Sequence, residues 1–191
     1  MQLASHEFRD LTELAMSCYN TVTLMSRFIQ QAQDPELRQL LVQHYPKHVE
    51  DYNLKVEFLQ SPQTPDITKF VPTQLHPKLQ NFAQPPSQQF VPVDVRMNAS
   101  QLNDREIATA YLLNQKSAAK DYAIAVTECA NPYLRTFLEN AFLNSNRHAY
   151  DIWQYMVVKG YYPFAPAPVQ EVQQVGTMFP IVDVPTPAAT F

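Results

Sequence analysis

Apolar residues recur along this chain at alternating steps of four and three, in four long stretches separated by short breaks or by proline-rich sequence. In the clearest of these they fall at Leu134, Leu138, Ala141, Ile152 and Tyr155, with Ser145 and His148 filling the same rhythm. Such a stripe predicts a helix with one face turned towards a core. Its ends are also marked. Asn131 offers a side-chain oxygen to unpaired amides, and Pro132 is tolerated at the first helical position. Gly160 can adopt the left-handed conformation that closes a helix. A helix is therefore expected over about 132–159, carrying a serine and a histidine where a pure packing face would place aliphatics.

An earlier stretch repeats this one. DPELRQLL (Asp34 to Leu41) aligns without gaps on NPYLRTFL (Asn131 to Leu138), a shift of 97 positions. The shift predicts a second buried stripe at Leu37, Leu41, His44, His48 and Asp51, in a helix over about 35–60 that Pro46 should kink or interrupt. The preceding helix, about 5–31, has its rhythm at Phe8, Leu11, Ala15, Cys18, Val22, Met25, Ile29 and Ala32. Its counterpart, about 103–130, opens on the capping box Asn103–Glu106. That helix should face inward with Ala108, Leu112, Gln115, Ala119, Tyr122, Val126 and Cys129. Two duplicated helical hairpins follow from this pattern.

Between the hairpins, residues 61–102 are rich in proline and poor in charge, yet hold Ile67, Phe82, Val93 and Val95. They read as an extended crossover laid along the bundle, long enough for the second and third helices to run parallel. The expected fold class is all-α: a ferritin-like four-helix bundle over 1–160, with a proline-rich C-terminal arm over 161–191 that has no helical period.

The bulk numbers narrow the function. A net charge of −4 lacks the basic stripe that nucleic acid requires. No apolar run approaches a membrane span, and the first residues carry no cationic-then-apolar signal pattern. Nineteen glutamines leave the polar surface largely uncharged. Cys18 and Cys129 fall at different heights in the bundle and are expected to be buried free thiols of a reducing compartment.

Ferritin-like bundles carry metal on an inward glutamate from each of the first and third helices and Glu-x-x-His on the other two. Here the Glu-x-x-His positions hold His48 and Asp51 in one helix, and Ser145 and His148 in the other. Mid-stripe, the remaining helices offer Cys18 and Gln115. A dimetal carboxylate site is not encoded. His48, Asp51 and His148 remain as candidates for a single ion, against the plainer expectation that Asp51 and His148 form one buried hydrogen-bonded pair. No histidine supports either cysteine as a nucleophile, and no glycine-rich loop exists for phosphate. Tyr161 and Tyr162, just past the last helix, are candidate contact residues.

Several of these residues also carry a resemblance. Tyr-Ala-x-Ala-x-Thr-Glu (Tyr122 to Glu128), Asn-Pro-x-Leu-Arg (Asn131 to Arg135), His148, Tyr155-Met156 and Gly160-Tyr161-Tyr162-Pro163 resemble the spore coat protein F (Coat F) family over about 102–164. The first hairpin is similar more loosely. The resemblance implies a ferritin-like bundle deposited in the coat of bacterial spores, with no established catalytic residues. The expectation is a non-enzymatic structural protein with no cofactor, synthesised in the mother-cell cytoplasm. Its partners would be other spore coat proteins and further copies of itself, with no nucleic acid and no membrane. The alternative is a metal-dependent oxidoreductase or metal-storage protein using His48, Asp51 and His148.

Overall fold

In the computed structural model, which describes residues 3–61, 63–79 and 89–184, the chain forms α1 (Ser5–Gln31), α2 (Pro35–Gln60), α3 (Asp104–Glu128), α4 (Pro132–Val158) and a short α5 (Val169–Gly176). Side-chain caps set several ends. Asp34 accepts from the Glu36 amide, Asn131 from the amides of Tyr133 and Leu134, and Asn103 and Glu106 cap each other's amides. α2 passes through Pro46 uninterrupted. α5 was not expected: it is eight residues long and buries nothing.

α1 packs on α2 and α3, and α4 packs on α3 and α2. α3 starts beside the α1–α2 turn, where the Asp104 carboxylate accepts from the amides of Gln33 (2.7 Å) and Asp34 (3.1 Å). It therefore runs parallel to α2, and the crossover returns the length of the bundle.

The duplication is visible in these ties. At the opposite end, the carboxylate of Glu7, 97 residues before Asp104, accepts from the amides of Ala130 (2.8 Å) and Asn131 (2.7 Å) in the α3–α4 turn. Arg38 donates from Nε to the Ala32 carbonyl (3.1 Å), and Arg135 from Nε to the Cys129 carbonyl (3.0 Å), again 97 residues apart. Each hairpin thus folds its own turn back with an arginine, and each turn is held by an acid from the other hairpin.

The inward face of α1 is Glu7, Leu11, Leu14, Cys18, Thr21, Met25 and Phe28, and Phe8 is exposed. The expected stripe is correct at Leu11, Cys18, Met25 and Ala32. It slid to Phe8, Ala15, Val22 and Ile29 because Glu7 and Thr21 are polar. The stripes of α2 and α4 are buried at every expected position.

The crossover is pinned along α4 by polar side chains that look, in sequence, like a solvent face. Asn140 donates to the Phe70 carbonyl (2.9 Å), Asn144 accepts from the Thr73 amide (2.8 Å), and Arg147 donates to the Thr73 carbonyl. Gln154 accepts from Lys78 and donates to the His76 carbonyl (3.0 Å). Phe70 is buried against Phe137, with ring centroids 5.1 Å apart.

Gly160 closes α4 with φ +70°. The Tyr161 amide bonds the Met156 carbonyl and the Gly160 amide the Val157 carbonyl, a Schellman closure. The Gly160 carbonyl then accepts from Val91 of the crossover (3.1 Å), and a Cβ at Gly160 would lie 2.7 Å from the Gln89 carbonyl oxygen. Gly160→Ala is expected to cost about 2 kcal/mol or more, since left-handed strain and a backbone clash coincide. Urea unfolding of the two proteins measures this.

Candidate functional site

Among the described residues twelve that are polar or charged are buried, and most of those in the bundle's interior gather into two adjacent clusters. The first is built around Lys55, which is fully buried. It lies one step beyond Asp51 on the α2 stripe, so both side chains enter the core together. Lys55 Nζ lies 2.5 Å from Asp51 Oδ1 and donates to the Tyr122 hydroxyl oxygen (2.8 Å) and Cys18 Sγ (3.4 Å). Asp51 Oδ2 accepts from the Tyr122 hydroxyl (2.6 Å) and the Cys18 thiol (2.8 Å). The ammonium also lies over the rings of Tyr122 and Phe137. α1, α2 and α3 all contribute to this knot, and it satisfies every oxygen of the carboxylate.

Burial alone would raise the Asp51 pKa. Lys55 and the hydrogen bonds from Cys18, Lys55 and Tyr122 outweigh it and hold the carboxyl below its ordinary value. Burial, reinforced by Asp51, pushes the Cys18 thiol up to about 12 and the Tyr122 hydroxyl well above its usual range. A thiol held protonated is a poor nucleophile. A carboxylate-bridged dimetal centre does not fit here, because the lysine cation stands against the one central carboxylate.

The second cluster lies towards the α1–α2 turn end. Asp151 Oδ2 is 3.2 Å from His44 Nε2, His44 Nδ1 is 3.1 Å from the Tyr111 hydroxyl, and that hydroxyl is 2.9 Å from His48 Nε2. A carboxylate only accepts, so His44 donates from Nε2 and accepts the Tyr111 proton at Nδ1. Tyr111 in turn accepts from His48 Nε2–H. One directed chain, His48 to Tyr111 to His44 to Asp151, links α2, α3 and α4. His148 stacks on His44, with centroids 3.9 Å apart and planes at 13°, and sits edge-on to His48 at 5.0 Å. Neither of its ring nitrogens has a hydrogen-bond partner among the described residues. Burial, reinforced by Lys55, lowers the His48 pKa to about 4 and outweighs the opposing pull of Asp51. Burial likewise holds His148 well below its ordinary value.

The three candidate ligands are therefore not gathered. His48 and His148 touch, but Asp51 belongs to the lysine knot, and the expected Asp51–His148 hydrogen bond is replaced by Asp51–Lys55. Among the described residues, no three His, Cys, Asp or Glu side chains stand converged for a metal ion. Lys55 and Asp151 went unrecognised in the sequence. The stripe signal extends to Lys55 directly, since Leu37, Leu41, His44, His48, Asp51 and Lys55 keep one rhythm.

Glu7 is a further buried carboxylate on α1 that was not expected, but it serves the α3–α4 turn and not the centre. Among the described residues both cysteines are free and buried. Tyr161 and Tyr162 are half-buried. Arg105 lies over the Tyr161 ring, and Tyr162 packs on Trp153 and under Lys116. Both line an open groove of about 800 Å³ with Val91, Val93, Leu112 and Met156.

The bundle, crossover included, defines the structural class. It resembles the crystal structure of a candidate spore coat protein from Bacillus halodurans C-125, with a TM-score of 0.64 over 88% of this chain and 96% of that one. At 12% identity this likeness is one of fold. Residues 103–165, spanning α3, α4 and the Gly160 closure, match the model of the Coat F domain. No curated protein matches the chain. Among the described residues no helix is long and apolar enough to cross a membrane.

Proposed function

We propose that the protein is a non-catalytic structural component of the bacterial spore coat, made in the mother-cell cytoplasm and held in place by contacts with other coat proteins and with further copies of itself. The observation that carries this reading is the match of residues 103–165 to the Coat F domain model. The interior supports it. Lys55, Asp51, Tyr122 and Cys18 spend their hydrogen-bonding capacity on one another, which suits a device that holds three helices together.

The contact surface is apolar and extended. Val169, Val172 and Val175 of α5, followed by Met178, Phe179, Ile181, Val182 and Val184, are all exposed, with Ile181 at 99%. On the crossover Val93, Val95 and Met97 are equally bare. Apolar surface of this extent is the usual mark of a protein contact.

The test is fractionation of spores making a tagged copy. The tagged chain is expected in the detergent-extracted coat fraction, and Phe179→Ser/Ile181→Ser should reduce its retention there while leaving bundle stability unchanged. Recovery of the parent chain only from mother-cell lysate or the spore core would refute the proposal.

A further inference from the structure

Among the described residues two apolar surfaces are left uncovered, and they lie at the two ends of one short strut. The first is the open groove of about 800 Å³ beside the start of α3. Leu112 and Met156 form its buried floor, and Leu113 and Val93, 59% and 70% exposed, line its sides. Tyr161 and Tyr162 make the wall from which the arm departs. Two acids on the rim are already engaged: Asp104 takes the amides of Gln33 and Asp34, and Glu106 takes Arg96. The second surface is α5, where Val169, Val172 and Val175 stand three apart on one face and no residue is buried.

We propose that α5 of one copy docks in this groove of a second copy, and that the exchange is reciprocal, closing a two-fold dimer. This deepens the self-contact in the proposed function, and it rests on that reading only for its setting in the spore coat.

Three observations favour a second copy. First, the arm's root is fixed, because Phe164 sits edge-on to Trp153 with ring centroids 5.3 Å apart. From 163 to 168 the chain has no helix or turn, and Pro163, Pro166 and Pro168 hold it extended. At about 3.1 Å per residue, the four residues after Phe164 carry α5 roughly 12 Å onward, with no glycine to turn it back. A helix held off its own groove meets the same groove on another molecule.

Second, the arm's root and the groove share one face, since Tyr161 and Tyr162 belong to both. A two-fold axis beside that face brings each arm to the other's groove in a single contact. An arm rooted far from its receptor would instead link copies in an open series.

Third, size and chemistry match. Residues 169–184 and the groove's lining together come to about thirty a side, and a stable interface takes about 20–30. From 163 to 184 the only charged residues are Glu171 and Asp183, so docking on an apolar floor strands little charge. A helix offering every third residue to an apolar groove is a recurring mode of recognition.

The experiment is sedimentation velocity on the purified full chain across the micromolar range. A closed dimer of twice 21.9 kDa is expected, with no larger species as concentration rises. Val172→Asp blocks the arm and Leu113→Glu blocks the groove. Both positions are exposed, so circular dichroism and melting should match the parent. Each variant alone should self-associate about a hundredfold more weakly or worse, since both docked helices in its dimer then meet a charge. Mixed in equal amounts, the two should pair with each other more tightly than either pairs with itself, because one intact arm and one intact groove remain. A monomeric parent would overturn the proposal. So would a dimer that survives both variants, growth into an open series, or failure of the mixed variants to pair. Each of those results leaves the coat assignment standing, because fractionation of spores reads that separately.

Discussion

Replacing Lys55 by methionine is expected to lower the unfolding free energy by about 3–5 kcal/mol, the loss that follows from breaking a buried ion pair on one side. The lysine ammonium is fully buried and touches Asp51, Tyr122 and Cys18. Without it the Asp51 carboxylate stays in the core with only the Tyr122 hydroxyl and Cys18 thiol for company. Asp51→Leu alone should cost a similar amount, by stranding the cation instead. The double variant Asp51→Leu/Lys55→Met should recover most of the loss, because replacing both partners of a buried pair with apolar groups is often near neutral. Urea unfolding of the four proteins gives the coupling energy directly. Additive losses would mean that the two groups do not hold each other.

The second large effect is a loss of stability in mild acid. His48 has its pKa lowered to about 4 in the fold, and His148 is held well below its ordinary value. The groups facing them are His44 and Lys47 of α2, Tyr111 of α3 and Asp151 of α4, with Asp51 and Lys55 one turn on. In the unfolded chain both imidazoles take up a proton near pH 6.5, whereas in the fold they stay neutral. Between about pH 6.5 and pH 4 the unfolded state therefore binds more protons, and stability rises with pH. The contribution of these two residues is complete above about pH 6.5 and is lost as pH falls through that window, at up to about 2–3 kcal/mol per pH unit. Asp51, whose folded pKa is lowered, adds its own loss only below about pH 4. Urea midpoints from pH 8 to pH 4.5 measure the slope. His148→Phe should make it shallower by about half, and an unchanged slope in that variant would contradict the assignment.

Much of the bundle was legible because its signals are local. Caps at Asp34, Asn103 and Asn131 and the closure at Gly160 are written in single residues, and the 97-residue shift is written in the matching Arg38 and Arg135. What resisted reading was polarity turned inward. Glu7, Thr21 and Lys55 sit on buried stripes, but a polar side chain reads as solvent-facing until its partners are known: the α3–α4 turn for Glu7, Asn114 for Thr21, and for Lys55 Cys18 and Tyr122 of other helices beside Asp51 of its own. The same ambiguity hid Asn140, Asn144, Arg147 and Gln154, which pin the crossover but look like an outer face. α5 was missed because eight residues between proline-rich segments give too few turns for a period to emerge.

The candidate site was legible in part for the same reason. His44, His48, Asp51 and His148 were placed in the interior correctly, since the stripe fixes direction. Their pairing was not, because direction along a helix does not say which neighbour is met. Asp51 meets a lysine one turn along its own helix, and His148 meets two histidines across the seam.

The lysine knot is proposed to hold helices together and to do nothing else. Spores producing only Asp51→Leu/Lys55→Met measure this directly, by the amount of the chain recovered in the coat fraction. Deposition equal to that of the parent is expected. A double variant that folds as stably as the parent yet fails to reach the coat would contradict it.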